Sequence, residues 1–333
     1  MKKILLLTAS AVLLLGFDNL YAQNTANYFI GGSNGSTMTA ANWSLGTLPN
    51  VANDATFAGA TPTGIRSMTA GSLTVGSYNV TTNAGTYGIR NQTSGASSST
   101  LTLGGSGNLG NGVSGNSADL LYVNQGATLN IWGTNGSSGT GGLNVVLGQS
   151  GNFNIAGKSE ISAGISGGYG ITKTGTGTMT FSGTNTYTGN TTVTGGTLSL
   201  ADNAQLRFTI GATGVNNLLT QSGTGTVSLD GDFVFDLSNA GTTIGNSWTL
   251  TSGTINYGGS LGTFSVLSTA GAFTETFSGS RIWTYTNDLT SATYEFSELN
   301  SQLTVVVPEP STYAMLALSG LGFAGYVIRR RRR

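Results

Sequence analysis

The sequence predicts an all-β protein: a right-handed parallel β-helix closed by a C-terminal β capping region, with one transmembrane helix at the C-terminal end. Three observations predict it. Short alternating segments closed by glycine recur along the chain, glycine makes up 53 of 333 residues beside 4 prolines, and an apolar stretch near the C-terminus ends in a run of arginines. That much glycine without a triplet period excludes collagen and suits a chain that turns many tight corners.

The first element, residues 1–22, is a signal peptide. Lys2 and Lys3 form its charged start, an apolar run from Ile4 to Phe17 follows, and Ala22 supplies the small residue at the expected cut. The run is too short for a comfortable membrane span. Signal peptidase and the export machinery are the partners this implies.

Residues 23–204 carry the repeated segments: Leu73-Thr74-Val75-Gly76, Leu101-Thr102-Leu103-Gly104 and Leu129-Asn130-Ile131-Trp132-Gly133, with later versions at Met179-Thr180-Phe181 and Leu198-Ser199-Leu200. Each reads as a brief strand with apolar residues on one face and Thr, Ser or Asn on the other. Leu73, Leu101 and Leu129 are evenly spaced, which predicts stacked coils with these leucines in one inward ladder. A disordered linker would waste such a pattern.

Within this region, residues 170–198 contain the blocks Lys173-Thr174-Gly175-Thr176-Gly177-Thr178, Asn185-Thr186-Tyr187-Thr188-Gly189 and Gly195-Gly196-Thr197-Leu198. The stretch, about 170–200, resembles the autotransporter-associated β-strand repeat. Asn42-Trp43-Ser44, Pro49 and Asp54-Ala55-Thr56-Phe57 resemble the N-terminal cap of such passengers. The sequence departs from a true autotransporter in lacking a C-terminal run of barrel strands, so the resemblance implies passenger architecture and not self-translocation.

Residues 205–307 gather aromatics, from Phe233 and Phe235 to Tyr294 and Phe296, and read as a C-terminal β region. Here the run from Leu229 to Leu237 alternates, which puts Asp230, Asp232 and Asp236 on one strand face and Leu229, Phe233 and Phe235 on the other. Such carboxylates are candidate Ca²⁺ ligands or glycan-hydrolysing acids. The plainer reading is a half-buried strand whose acids face water, and the sequence favours it, with no metal and no cofactor expected.

The last element, residues 308–333, begins with Pro308, Glu309 and Pro310. An apolar stretch to Ile328 follows, then Arg329, Arg330, Arg331, Arg332 and Arg333. The stretch at 312–328 gives about 25 Å of helix, which arginine side chains can extend by snorkelling, and the arginines fix the basic end in the cytoplasm. Motif, helix and basic cluster in that order resemble the PEP-CTERM sorting signal of Gram-negative bacteria, whose partner is the membrane protease exosortase. The resemblance implies transient residence in the inner membrane, then delivery to the cell surface or the exopolysaccharide matrix.

Composition excludes much else. With no cysteine and no histidine, there is no thiolate or imidazole for metal binding or catalysis. The matches to G-x-S-x-G at Gly31–Gly35 and Gly164–Gly168 therefore read as turns, as does the G-x-G-x-x-G match at Gly105–Gly110. Between residues 23 and 307 acidic groups outnumber basic ones, so no basic stripe exists to bind nucleic acid. The expectation is a non-catalytic exported surface or matrix protein associated with exopolysaccharide. The alternative is a β-helix polysaccharide lyase or glycosidase.

Overall fold

The computed structural model describes residues 25–28, 45, 48–49, 53–58, 64–68, 71–91, 97–104, 118–133, 142–258 and 263–307. Among these residues the regular structure is all strand. The chain takes three faces in rotation. Strand Gly151–Ile155 is followed by Lys158–Ile161 and Gly164–Ser166, and the next coil repeats the order with Ile171–Thr174, Thr178–Phe181 and Thr184–Asn185. On the first two faces each strand pairs in parallel with its equivalent one coil away, which is the architecture of a parallel β-helix.

The first face is a sheet of 9 strands from Thr25–Tyr28 to Thr251–Ser252, and the second a sheet of 8 from Gly64–Met68 to Ile255–Tyr257. The third face is made of two sheets stacked end to end, Ser72–Val75 to Gly164–Ser166 and then Thr184–Asn185 to Ser265–Ser268. At about 4.8 Å per strand the first sheet spans about 38 Å.

Alternation fills the inside. On the second face Ile89, Ile131, Ile161, Phe181, Leu200, Leu229 and Tyr257 lie in register, one per coil. The six up to Leu229 are almost wholly buried. At roughly 1.5–3 kcal/mol for each buried large apolar side chain, such ladders are the main source of stability. Corners are tight: a Cβ on Gly177 would stand 1.8 Å from the Gly157 oxygen one coil back.

The even spacing of the leucines does not mark one ladder. Leu73 pairs with Leu101, but Leu101 pairs next with Val145, while Leu129 lies on the second face between Tyr87 and Ser159. Coils differ in length. Tyr78 meets Leu121 on the first face, a longer step than from Leu73 to Leu101, so the same count forward from Leu101 lands on another face.

The architecture also does not change at residue 205, where the aromatic composition shifts. Parallel pairing continues through Gln205–Thr209, Asp232–Asp236 and Ser265–Ser268. Antiparallel order is found in a five-stranded sheet formed by Ser247–Thr249, which precedes the last parallel strand, and by Thr274–Glu275, Ile282–Thr286, Thr293–Ser297 and Gln302–Val306, which follow it. This sheet closes the open end of the core. Phe296, fully buried, sets its ring 5.5 Å from Phe235, 6.0 Å from Phe233 and 6.1 Å from Tyr257. The aromatics gather there because a coil end must be covered, and rings cover the most area per side chain.

No helix among the described residues is long and apolar enough to cross a membrane. The expected signal peptide with Ala22 and the expected transmembrane helix both lie outside the described residues, as do Pro308, Glu309, Pro310 and Arg329 to Arg333.

Candidate functional site

Among the described residues, polar side chains gather at the corner around Lys173, along the acidic strand near Asp232, and at the junction between the last coil and the antiparallel sheet.

Lys173 occupies an inward ladder position, between Phe153 and Val193, and is wholly buried. Its stem fills the ladder while Nζ curls to the corner. There it donates to the carbonyl oxygens of Thr174 at 2.7 Å, Gly175 at 3.0 Å, Gly195 at 3.1 Å and Ile155 at 3.4 Å. One ammonium thus ties three successive coils. Burial pulls its pKa down to about 8, so the group is still charged at neutral pH. Asn185 does the same work on the third face: its Nδ2 donates to Gly183 O and Gln205 O, and its Oδ1 accepts from Ile165 N. The Tyr187 hydroxyl, fully buried, pairs with Thr191. The three side chains come from the Lys173-Thr174-Gly175 and Asn185-Thr186-Tyr187 blocks, so the sequence pattern of this repeat holds two inter-coil ties, Lys173 and Asn185, and one local tie at a corner, Tyr187.

Asp230, Asp232 and Asp236 do not share one strand face. The chain bends at Gly231, where a Cβ would stand 2.4 Å from the Ala201 and Ala204 oxygens, so Leu229 ends a strand of the second face and Asp232 begins one on the third. Asp230 is buried at that corner. Asp232 accepts from Ser265 Oγ, and Asp236 pairs with Arg207 and accepts from the Ser238 hydroxyl and amide. Burial opposes the charge on Asp236, but the bonds from Ser238 and Arg207 outweigh it and hold the carboxyl below its ordinary value. Among the described residues, no three acidic groups gather where they could hold a metal ion. Ser166 of the second G-x-S-x-G match ends a short strand, and its hydroxyl donates to Val145 O; the matches at residues 31–35 and 105–110 lie outside the described residues.

The junction forms a groove of about 500 Å³ that no sequence motif marks. Tyr257, Phe264 and Trp283 supply aromatic wall, with Phe264 5.0 Å from Tyr257 and 6.2 Å, edge-on, from Trp283. Glu275, Arg281 and Glu298 supply charge. Glu298 accepts from Trp283 Nε1 at 2.8 Å and from Arg281 Nε at 2.9 Å, and Glu275 Oε1 accepts from the Arg281 amide at 3.0 Å. Arg281 sits at φ 59°, a left-handed conformation that a non-glycine residue adopts only when its surroundings enforce it. Here they do, because its carbonyl also accepts from Glu298 N at 3.0 Å. The Tyr257 hydroxyl turns inward to Thr251 and Ser301, and burial raises its pKa. A second groove, on the open face of the antiparallel sheet, is lined by threonines with one ring, Tyr285, and no cation.

The antiparallel sheet also holds the last strand of the described residues, Gln302–Val306. Val305 is buried, Val307 is exposed, and Pro308 follows directly. Two family models match the chain: the passenger-associated-transport-repeat over residues 171–200, and the PEP-CTERM protein-sorting motif over residues 306–333. The chain carries a PEP-CTERM sorting motif. It therefore has the signal of an exported, cell-surface-directed protein processed by exosortase-type machinery, and that signal starts on the last strand, Gln302–Val306. The repeat match begins at Ile171 and holds Lys173 and Asn185, the inter-coil ties described above, together with Tyr187. No curated protein and no solved structure matches the chain.

Proposed function

We propose that this chain is a non-catalytic protein of the cell surface or extracellular matrix that associates with exopolysaccharide after exosortase-type sorting. The observation that carries the reading is the PEP-CTERM match at 306–333, which begins at the last residue of strand Gln302–Val306. Residues 1–22 act as a signal peptide cut after Ala22, and residues 312–328 cross the inner membrane as a helix until the tail is removed. Arg329 to Arg333 halt export and set the orientation. Pro308, Glu309 and Pro310 present an extended segment to the protease, since proline resists both helix and sheet. The coil takes the right hand that parallel crossovers adopt.

The non-catalytic part of the reading draws on chemistry. There is no histidine or cysteine, Asp236 is engaged by Arg207 and Ser238, and both oxygens of Glu298 are hydrogen-bonded. Fractionation of expressing cells tests the proposal. The protein is expected in the polysaccharide-containing surface fraction, released when that polysaccharide is digested, and without hydrolase or lyase turnover against neutral and acidic polysaccharides with or without Ca²⁺. Turnover abolished by Asp232→Asn or Glu275→Gln would make it an enzyme.

A further inference from the structure

We infer that the groove between the last coil and the antiparallel sheet is a glycan site for chains free of carboxylates, neutral or amino-bearing, an inference that rests on the exopolysaccharide reading above. Sugars present apolar C–H faces and hydroxyl edges together. A site for them needs aromatic wall beside fixed charged or polar groups, and the groove joins Trp283, Tyr257 and Phe264 to Glu275, Arg281 and Glu298. Its volume, about 500 Å³, lies in the range of small-ligand clefts.

The charged groups are preorganised. Arg281 is held in a left-handed conformation by its own amide, carbonyl and Nε, and its side chain is still 46% exposed. Glu298, 8% exposed at its side chain, steers both Arg281 and the Trp283 ring. These three ties fix the backbone from which the guanidinium enters the groove. Charge then selects the ligand. Arg281 is paired with Glu298, so Glu275 sets the sign of the opening, and a uronate chain would meet a carboxylate that an amino sugar or a neutral sugar would welcome.

The test uses the full chain as exported and recovered from the cell surface. Affinity electrophoresis and tryptophan fluorescence are run with a neutral β-glucan, a glucosamine polymer and polygalacturonate. The expected result is binding to one or both of the first two and weak or no binding to the third. Roughly tenfold weaker binding is expected in Trp283→Ala, Glu275→Gln and Arg281→Gly, the last of which suits the left-handed backbone and keeps the fold if Trp283→Ala does not. If the parent binds but Glu275→Gln and Arg281→Gly bind equally well, or polygalacturonate binds best, this site assignment is overturned while the exopolysaccharide reading stands. If the parent binds none of the three probes, nor exopolysaccharide from its own cells, the exopolysaccharide reading itself falls.

Discussion

Lys173 Nζ donates to the Gly195 carbonyl oxygen at 3.1 Å, reaching one coil forward from a ladder position that its neighbours fill with Phe153 and Val193. A charged group in an apolar ladder persists here because four carbonyls receive it.

Stability should carry the mark of that burial. The folded pKa of Lys173 is depressed, to about 8 from 10.5, so the unfolded chain binds the proton more tightly between those values. Its contribution is fully present above 10.5 and lost as pH falls through 8. Unfolding free energy should therefore rise by about 2 kcal/mol between pH 8 and pH 10. Denaturant titrations across that range should show the rise in the parent and not in Lys173→Met. An equal slope in both would place the ammonium outside the coil.

Glycines at corners should differ sharply in tolerance. Gly177→Ala would drive a Cβ to 1.8 Å from the Gly157 oxygen, whereas a Cβ on Gly168 meets nothing within 4 Å. The first should cost about 3 kcal/mol or more and the second nearly nothing, as read by thermal unfolding.

The end of the core should depend on one ring. Phe296→Ala removes the side chain that touches Phe233, Phe235 and Tyr257, at a cost of about 3–5 kcal/mol. Hydrogen exchange should quicken first in Asp232–Asp236 and Ile255–Tyr257. Unchanged protection there would mean that the antiparallel sheet does not cap the coil.

The strands themselves were legible in the sequence, because alternation in segments such as Leu101-Thr102-Leu103 is local and strands need nothing more. Their stacking was not. Leu129 matches Leu73 and Leu101 in spacing yet lies on another face, since unequal corners shift the phase of each coil. Asp230, Asp232 and Asp236 looked like one face because the bend at Gly231 has no signature beyond a single glycine. The groove was hidden for a related reason. Tyr257 ends a coil while Glu275, Trp283 and Glu298 come from the hairpins beyond it, and only the packing of the antiparallel sheet on the coil end brings them together. Lys173 and Asn185 were visible as repeat letters, but nothing local says that a lysine points inward.

The sorting account is tested most directly by the C-terminus of the mature protein. Mass spectrometry of surface material should find chains that end near Pro308 and lack residues 313–333. Replacing Pro308, Glu309 and Pro310 with alanine should leave export intact and trap the uncut chain in the inner membrane, still carrying Arg329 to Arg333. Intact tails on wild-type surface protein, together with normal distribution of the alanine variant, would contradict sorting by an exosortase-type protease.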